Sequence, residues 1–261
     1  MPGGEPAGTT AATAELAGWA AIVTGAAGGL GREVVRLLHG AGASIVAEDI
    51  MGEVADLETA DGRVVSLCGD ASLSSTARQA VGLALDRFGS LDVLVNNAAR
   101  FLGKPTLDIT DEEWDDLMAT NVRSVFVHSR EALPHLLDSG RGAIVNLSSI
   151  SGVVGLPEQA AYCATKGAIS NLTRQLAVDY SGRGVRVNAV APGAIDTPFL
   201  ETALAGFPDL AEAKKMVATE HPLGRISSPA EIAEVVLFLA SPRASFLTGA
   251  VVMADGGYTA R

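Results

Sequence analysis

The chain has 261 residues, 48% of them hydrophobic, enough for a substantial core and within the reach of one α/β domain. A formal net charge of −11 argues against nucleic acid, an anionic membrane or an acidic protein as partner, since each would be repelled at long range, and favours a small neutral substrate. Two cysteines, Cys68 and Cys163, and four scattered histidines, His39, His128, His135 and His221, have neither disulfide-framework nor metal-ligand spacing, so no metal is expected.

Met1 to Thr13 is rich in Gly, Pro, Ala and Thr and lacks the basic and apolar regions of a signal peptide, so it reads as a loose tail. No stretch approaches the roughly 18 apolar residues that a membrane span needs, and a soluble, cytoplasmic protein is expected. Beyond the tail, short apolar runs alternate with longer amphipathic ones, the mark of a parallel sheet covered by helices. Strands are expected at Ala20 to Thr24, Ser44 to Glu48, Val64 to Leu67, Leu91 to Asn96, Gly142 to Leu147, Val185 to Val190 and Ala250 to Met253. Helices are expected at Gly31 to Gly40, Leu73 to Phe88, Asp111 to Asp138, Gln159 to Arg183, Glu201 to Thr219 and Pro229 to Ala240. Thr110 before three acids and Ser228-Pro229 before Glu231 are helix-start signals. The recurring βαβαβ order predicts one α/β domain over residues 14–261, a doubly wound sheet with its ligand where the winding reverses.

The first strand runs into Thr24-Gly25-Ala26-Ala27-Gly28-Gly29-Leu30-Gly31, which opens the first helix. Glycines there let main-chain N–H groups and a helix N-terminus approach a pyrophosphate without side-chain obstruction. Glu48-Asp49 closes the second strand, with Asp49 18 residues past Gly31, near the spacing of a carboxylate that binds an adenosine ribose and repels a 2′-phosphate. Gly28 and Ile50-Met51 occupy positions where a basic residue would favour NADP, so NAD is the expected cofactor, with Asp49 preferred over Glu48. Asp70, beside Ala71 after the third strand, is a candidate for the adenine amino group or a helix cap. Asn96-Asn97-Ala98-Ala99 ends the fourth strand and can tie strands together or meet the cofactor through its main chain.

Tyr162 and Lys166 stand four apart in a run that reads as helix, so they share a face. A phenol beside an ammonium has its ionised form favoured, which is expected to bring its pKa from about 10 toward neutrality, where it can exchange a proton with an alcohol or carbonyl. Ser149 lies 13 residues upstream and Asn121 further back.

Taken together, these residues resemble the short-chain dehydrogenase/reductase family, from about Leu16 to Tyr258. The resemblance implies a Rossmann-like fold with a seven-stranded parallel sheet, a nicotinamide cofactor, and a catalytic set of Asn121, Ser149, Tyr162 and Lys166. Ser149 is chosen over Ser148 because the family's serine precedes its tyrosine by this interval. The glycine motif (Gly25, Gly29, Leu30, Gly31), Asn97-Ala98 and Pro192-Gly193-x-Ile195-x-Thr197 also match family patterns, and Ala99 departs from the more usual glycine. In the implied reaction Tyr162 exchanges the proton while hydride passes to or from nicotinamide C4, and Ser149 hydrogen-bonds the reacting oxygen. Lys166 lowers the Tyr162 pKa and holds the nicotinamide ribose, and Asn121 positions a water for proton exchange. Pro192 to Thr197 borders the nicotinamide carboxamide.

Phe199 to His221 reads as a lid over a mostly apolar pocket. Phe101, Ser151, Val153, Leu156 and Phe199 are the candidate lining, and no arginine is aimed there, which suits a neutral, moderately hydrophobic secondary alcohol or ketone. The two longest helices are apolar on more than one face, and with the family resemblance this implies a homo-oligomer, a dimer or tetramer. Two other readings are a 3-oxoacyl-carrier-protein reductase, opposed by the lack of NADP-type basic residues and by the acidic surface, and an inactive nucleotide-sensing scaffold, opposed by the intact catalytic set.

Overall fold

The apolar runs of the inner strands lack a polar alternation because helices cover both faces of the sheet, as parallel sheets require. In a computed structural model, residues 14–260 are described, and the expected tail, Met1 to Thr13, lies outside the described residues. The strands are β1 (Ala20–Thr24), β2 (Ser44–Asp49), β3 (Val64–Cys68), β4 (Val93–Asn96), β5 (Ala143–Leu147), β6 (Arg186–Pro192) and β7 (Val251–Ala254). They form a parallel seven-stranded sheet in the order β3-β2-β1-β4-β5-β6-β7.

Alternate side chains feed two cores. Ala21 and Val23 of β1 pack with helices α1 (Gly29–Gly40) and α8 (Pro229–Ala240), through Val34, Leu38 and Val236. Ile22 packs on the opposite face with helices α2 (Ser74–Phe88), α4 (Ser124–Ser139) and α5 (Ala160–Tyr180), through Ala84, Leu136 and Ala177. Sequential winding goes one way from β1 to β3 and the other way from β4 to β7, so the reversal lies between β1 and β4.

Two expected helices are broken. The run from Asp111 to Asp138 divides into α3 (Asp111–Met118), a π turn over Ala119–Arg123 that contains Asn121, and α4. The run from Glu201 to Thr219 divides into α6 (Pro198–Ala203) and α7 (Leu210–Thr219), because Gly206 and Pro208 interrupt it and the Asp209 carboxylate caps a new start by accepting from Ala211 and Glu212 N–H. The helix expected from Gln159 to Arg183 ends at Tyr180, before a short 3₁₀ turn that closes on Gly184 at φ 92°. Strand bounds move by up to two residues, and the Thr110 and Ser228 capping boxes form as expected.

Candidate active site

Residues at the carboxyl ends of β1, β2 and β4 build one half of the site. At Gly25, φ is +65°, and a Cβ would stand 2.7 Å from the Ala98 main chain. A Cβ on Gly31 would collide with the Gly25 carbonyl oxygen, and one on Gly29 would lie 2.8 Å from the Thr197 methyl. Glycine is thus required for the helix to enter so close beneath the loop, and the Gly29 and Thr197 segments face each other. This cradle of bare main chain at a helix N-terminus fits the pyrophosphate of a dinucleotide.

Asp49 is buried and fixed: Oδ2 accepts from Ala27 N–H at 2.9 Å and Oδ1 from Met51 N–H at 3.0 Å. It therefore joins the glycine loop to the end of β2. Glu48 takes the other face, fully buried, with Oε2 2.8 Å from His128 Nε2 on α4. The two carboxylates are separated by the strand's alternation, and Asp49 is the one at the glycine loop. Asp70 caps the following turn, accepting from Ser72 N–H at 2.8 Å, with Ala71 half-buried beside it.

The asparagines are ties. Asn97 Nδ2 donates to the Thr24 and Gly25 carbonyls at 3.0 and 2.9 Å, and Thr24 Oγ1 accepts from Asn97 and Ala98 N–H. Asn96 Nδ2 donates to Asn146 Oδ1 at 2.8 Å, and Asn146 Nδ2 to Thr173 Oγ1 at 2.9 Å, a buried polar layer linking β4, β5 and α5. Such a layer fixes α5 against the sheet in one register.

On that platform sit the four candidate catalytic residues. Ser148 turns its hydroxyl to α5, 2.7 Å from Ser170 Oγ and 3.1 Å from the Lys166 carbonyl, which leaves Ser149 as the serine whose hydroxyl bears on the Tyr162 phenol. Lys166 Nζ donates to the Leu147 carbonyl at 2.8 Å and lies 5.6 Å from the centre of the Tyr162 ring. Asn121 Oδ1 accepts from Arg100 N–H at 2.8 Å, while Nδ2 donates to the Arg100 carbonyl at 2.9 Å and to Thr165 Oγ1 at 3.2 Å. Its amide is thus committed to protein, and the π turn is where the helix accommodates that commitment.

One expectation about this group is corrected. Burial pushes the Tyr162 phenol well above its ordinary value, Cys163 adds to the rise, and the Ser149 hydrogen bond only partly opposes it. Burial also lowers the Lys166 ammonium to about 7. The predicted fall of the phenol toward neutrality is absent because both groups are buried, and desolvation outweighs a charge partner that is itself easily neutralised.

The lining candidates divide. Phe101 and Phe199 close around Tyr162, with ring centroids 5.2 and 6.3 Å from it and 6.2 Å from each other. Ser151 is buried, and its Oγ accepts from Ser149 Oγ at 3.3 Å and donates to Gln159 Oε1 at 3.0 Å. Val153 is exposed and Leu156 half-buried, and neither joins the apolar cluster around Tyr162. Pro192 ends β6, Gly193 follows it, Ile195 pairs in an isolated parallel bridge with Ser227, and Thr197 N-caps α6. Sequence reading passed over Thr24, Gln159 and His221. The first two carried position signals, next to Gly25 and three residues before Tyr162; His221 carried none.

A family model described as Enoyl-(Acyl carrier protein) reductase matches residues 25–259. The chain is similar to cis-4-hydroxycyclohexanecarboxylate dehydrogenase of Sinomonas cyclohexanicum, 41% identical over 245 residues that cover 92% of this chain and 96% of the relative. It is also similar to 2-(S)-hydroxypropyl-CoM dehydrogenase 3 of Xanthobacter autotrophicus, 39% identical over 243 residues, 91% and 95% of the two chains. Among solved structures, levodione reductase matches with a TM-score of 0.89 at 32% identity, over 94% of this chain and 99% of that one.

Proposed function

Because the chain belongs to the short-chain dehydrogenase/reductase family, its relatives being dehydrogenases of hydroxy compounds, we propose that it is an NAD-dependent enzyme interconverting a neutral, moderately hydrophobic secondary alcohol and its ketone. The observation that carries the reading is the meeting of Ser149, Tyr162 and Lys166 at the carboxyl end of β5, under an aromatic wall of Phe101 and Phe199.

When bound, the dinucleotide supplies the hydride acceptor or donor. Gly25, Gly29, Leu30 and Gly31 would take its pyrophosphate and Asp49 its adenosine ribose, with Asp70, Ala71, Asn97 and Ala98 along the adenosine side. Pro192, Gly193, Ile195 and Thr197 would border its carboxamide, and Lys166 its second ribose. Tyr162 gives its phenolic proton to the carbonyl oxygen in reduction and takes one from the alcohol in oxidation. Ser149 donates a hydrogen bond to the same oxygen, where negative charge develops, a task worth a few kcal/mol. Any water that Asn121 positions for proton exchange would rest on its main chain, because its amide is already engaged. The net negative charge, the lid reading of Phe199 to His221 and the absence of a basic residue among the lining candidates support a neutral substrate, and exposed Phe126 on α4 and Val178 on α5 support a homo-oligomer.

The test is a panel of cyclic and acyclic secondary alcohols with NAD or NADP, followed by absorbance of the reduced nicotinamide. Turnover with NAD on neutral alcohols is expected. Turnover confined to NADP, or to acyl thioesters, would overturn the cofactor or substrate assignment respectively.

A further inference from the structure

His221 is nearly fully buried where three segments meet, and both of its ring nitrogens are engaged. Nδ1 lies 2.8 Å from the Val217 carbonyl of α7, so it must carry the hydrogen, since a carbonyl can only accept. Nε2 lies 3.2 Å from Ala194 N–H, so it must offer a lone pair. Only the neutral Nδ1–H tautomer satisfies both. The Tyr258 ring packs against the imidazole at a tilt of 58°, with 5.3 Å between centroids. Gly193 has no room for a side chain, because a Cβ there would stand 2.5 Å from Nε2.

Resting on the reading of residues 192–197 as the loop along the nicotinamide, we propose that His221 is a positioning residue. Its neutral ring fixes the Gly193–Ala194 main chain and couples that loop to the end of the lid, so that protonation weakens dinucleotide binding. The added proton would place an N–H donor against the Ala194 N–H donor. The two would part, and the loop would lose its tie to α7. A cavity of about 460 Å³ borders the ring, lined by His221, Ala194, Leu223 and Asp255 among others.

Charged groups on the surrounding elements are committed to partners of their own. On α7, Lys214 pairs with Asp196 and Glu201, and Lys215 with Glu212. Arg225 pairs with Glu231 across the cavity, and the Asp255 carboxylate accepts from Gly257 and Thr259 N–H and from the Thr259 hydroxyl. Glu220 precedes His221 in the chain and has interactions of its own, as does Tyr258.

The experiment measures the dissociation constant of NADH by fluorescence between about pH 5.5 and about pH 8.5 in wild type, His221→Gln and His221→Leu. Glutamine offers an amide oxygen near the Nε2 position and cannot be protonated; leucine offers no acceptor. Wild type is expected to bind about tenfold more weakly at the acid end, His221→Gln to bind like alkaline wild type throughout, and His221→Leu to be about tenfold weak at every pH. Saturating turnover should change much less than the cofactor constant in both variants. The proposal fails if His221→Gln keeps the wild-type pH profile, or if folded His221→Leu binds NADH as wild type does. Should His221→Leu not fold, the His221→Gln profile still decides. Wild type that binds neither NADH nor NADPH would instead sink the dinucleotide reading itself.

Discussion

On the proposed reading cofactor choice turns on Asp49, and replacing it by asparagine separates its charge from its shape. The carboxylate holds Ala27 N–H and Met51 N–H at 2.9 and 3.0 Å, so any dinucleotide on the glycine loop meets a fixed negative charge at the end of β2. A unit charge at roughly 5 Å in an effective dielectric of about 20 is worth about 3 kcal/mol, and screening at the site's edge brings this to about 1.5–2.5 kcal/mol for a 2′-phosphate. From the first turn of α1, Arg32 Nε donates to the Ala27 carbonyl at 2.8 Å and leaves a cation in place once the carboxylate is gone. Asp49→Asn should therefore shift the ratio of NADPH to NADH dissociation constants by about 10–70-fold toward NADPH. It keeps one acceptor, so the loop should lose one charge-assisted hydrogen bond, and NADH itself should weaken by a smaller factor. Fluorescence titration of both reduced cofactors reads the ratio directly. A ratio that stays where it was would refute the argument and move selection of the ribose to another residue.

Tyr162→Phe should leave NADH binding within about twofold and cut turnover by about 10²–10⁴, since only the proton transfer is lost; steady-state rates at saturating cofactor check it. Gly31→Ala should abolish cofactor binding or soluble expression, because its methyl group would enter the Gly25 carbonyl; a variant with wild-type thermal midpoint and cofactor affinity would contradict the packing. Although burial of His128 opposes it, Glu48 raises the imidazole's pKa overall, so the stability this pair contributes is present below the unfolded value and is lost as pH rises through the folded one. Urea unfolding should show that fall toward alkaline pH in wild type and not in His128→Gln.

How much of this was readable before any coordinates follows from the range of each force. Strands and glycine loop are local: apolar runs of five or so residues and a turn that needs φ > 0 leave their mark in adjacent letters, and Gly25, Gly31 and Asp49 lie where the spacing put them. Tyr162 and Lys166 were legible because helical periodicity alone places them on one face. The breaks at Asn121 and Gly206-Pro208 were harder. The first depends on a main-chain partner at Arg100, 21 residues away, and the second on the capping carboxylate of Asp209 competing with an otherwise helical composition. His221 was opaque because its partners, Val217, Ala194 and Tyr258, converge only in three dimensions. The pKa of Tyr162 was misread for a related reason: a charge neighbour is visible in sequence, whereas the depth of burial that outweighs it is not.

That burial also orders the chemistry of the site. With the phenol held above its ordinary value, Tyr162 rests protonated near neutral pH, which is the form that can give a proton to a carbonyl oxygen. The reverse reaction needs the phenolate, and what favours an anion at that oxygen is close by: the Ser149 hydroxyl and a protonated Lys166. Burial lowers Lys166 to about 7, and its Nζ donates to the Leu147 carbonyl. A main-chain carbonyl beside the ammonium favours the charged form, so in the proposed mechanism the last residue of β5 helps hold a cation beside the tyrosine.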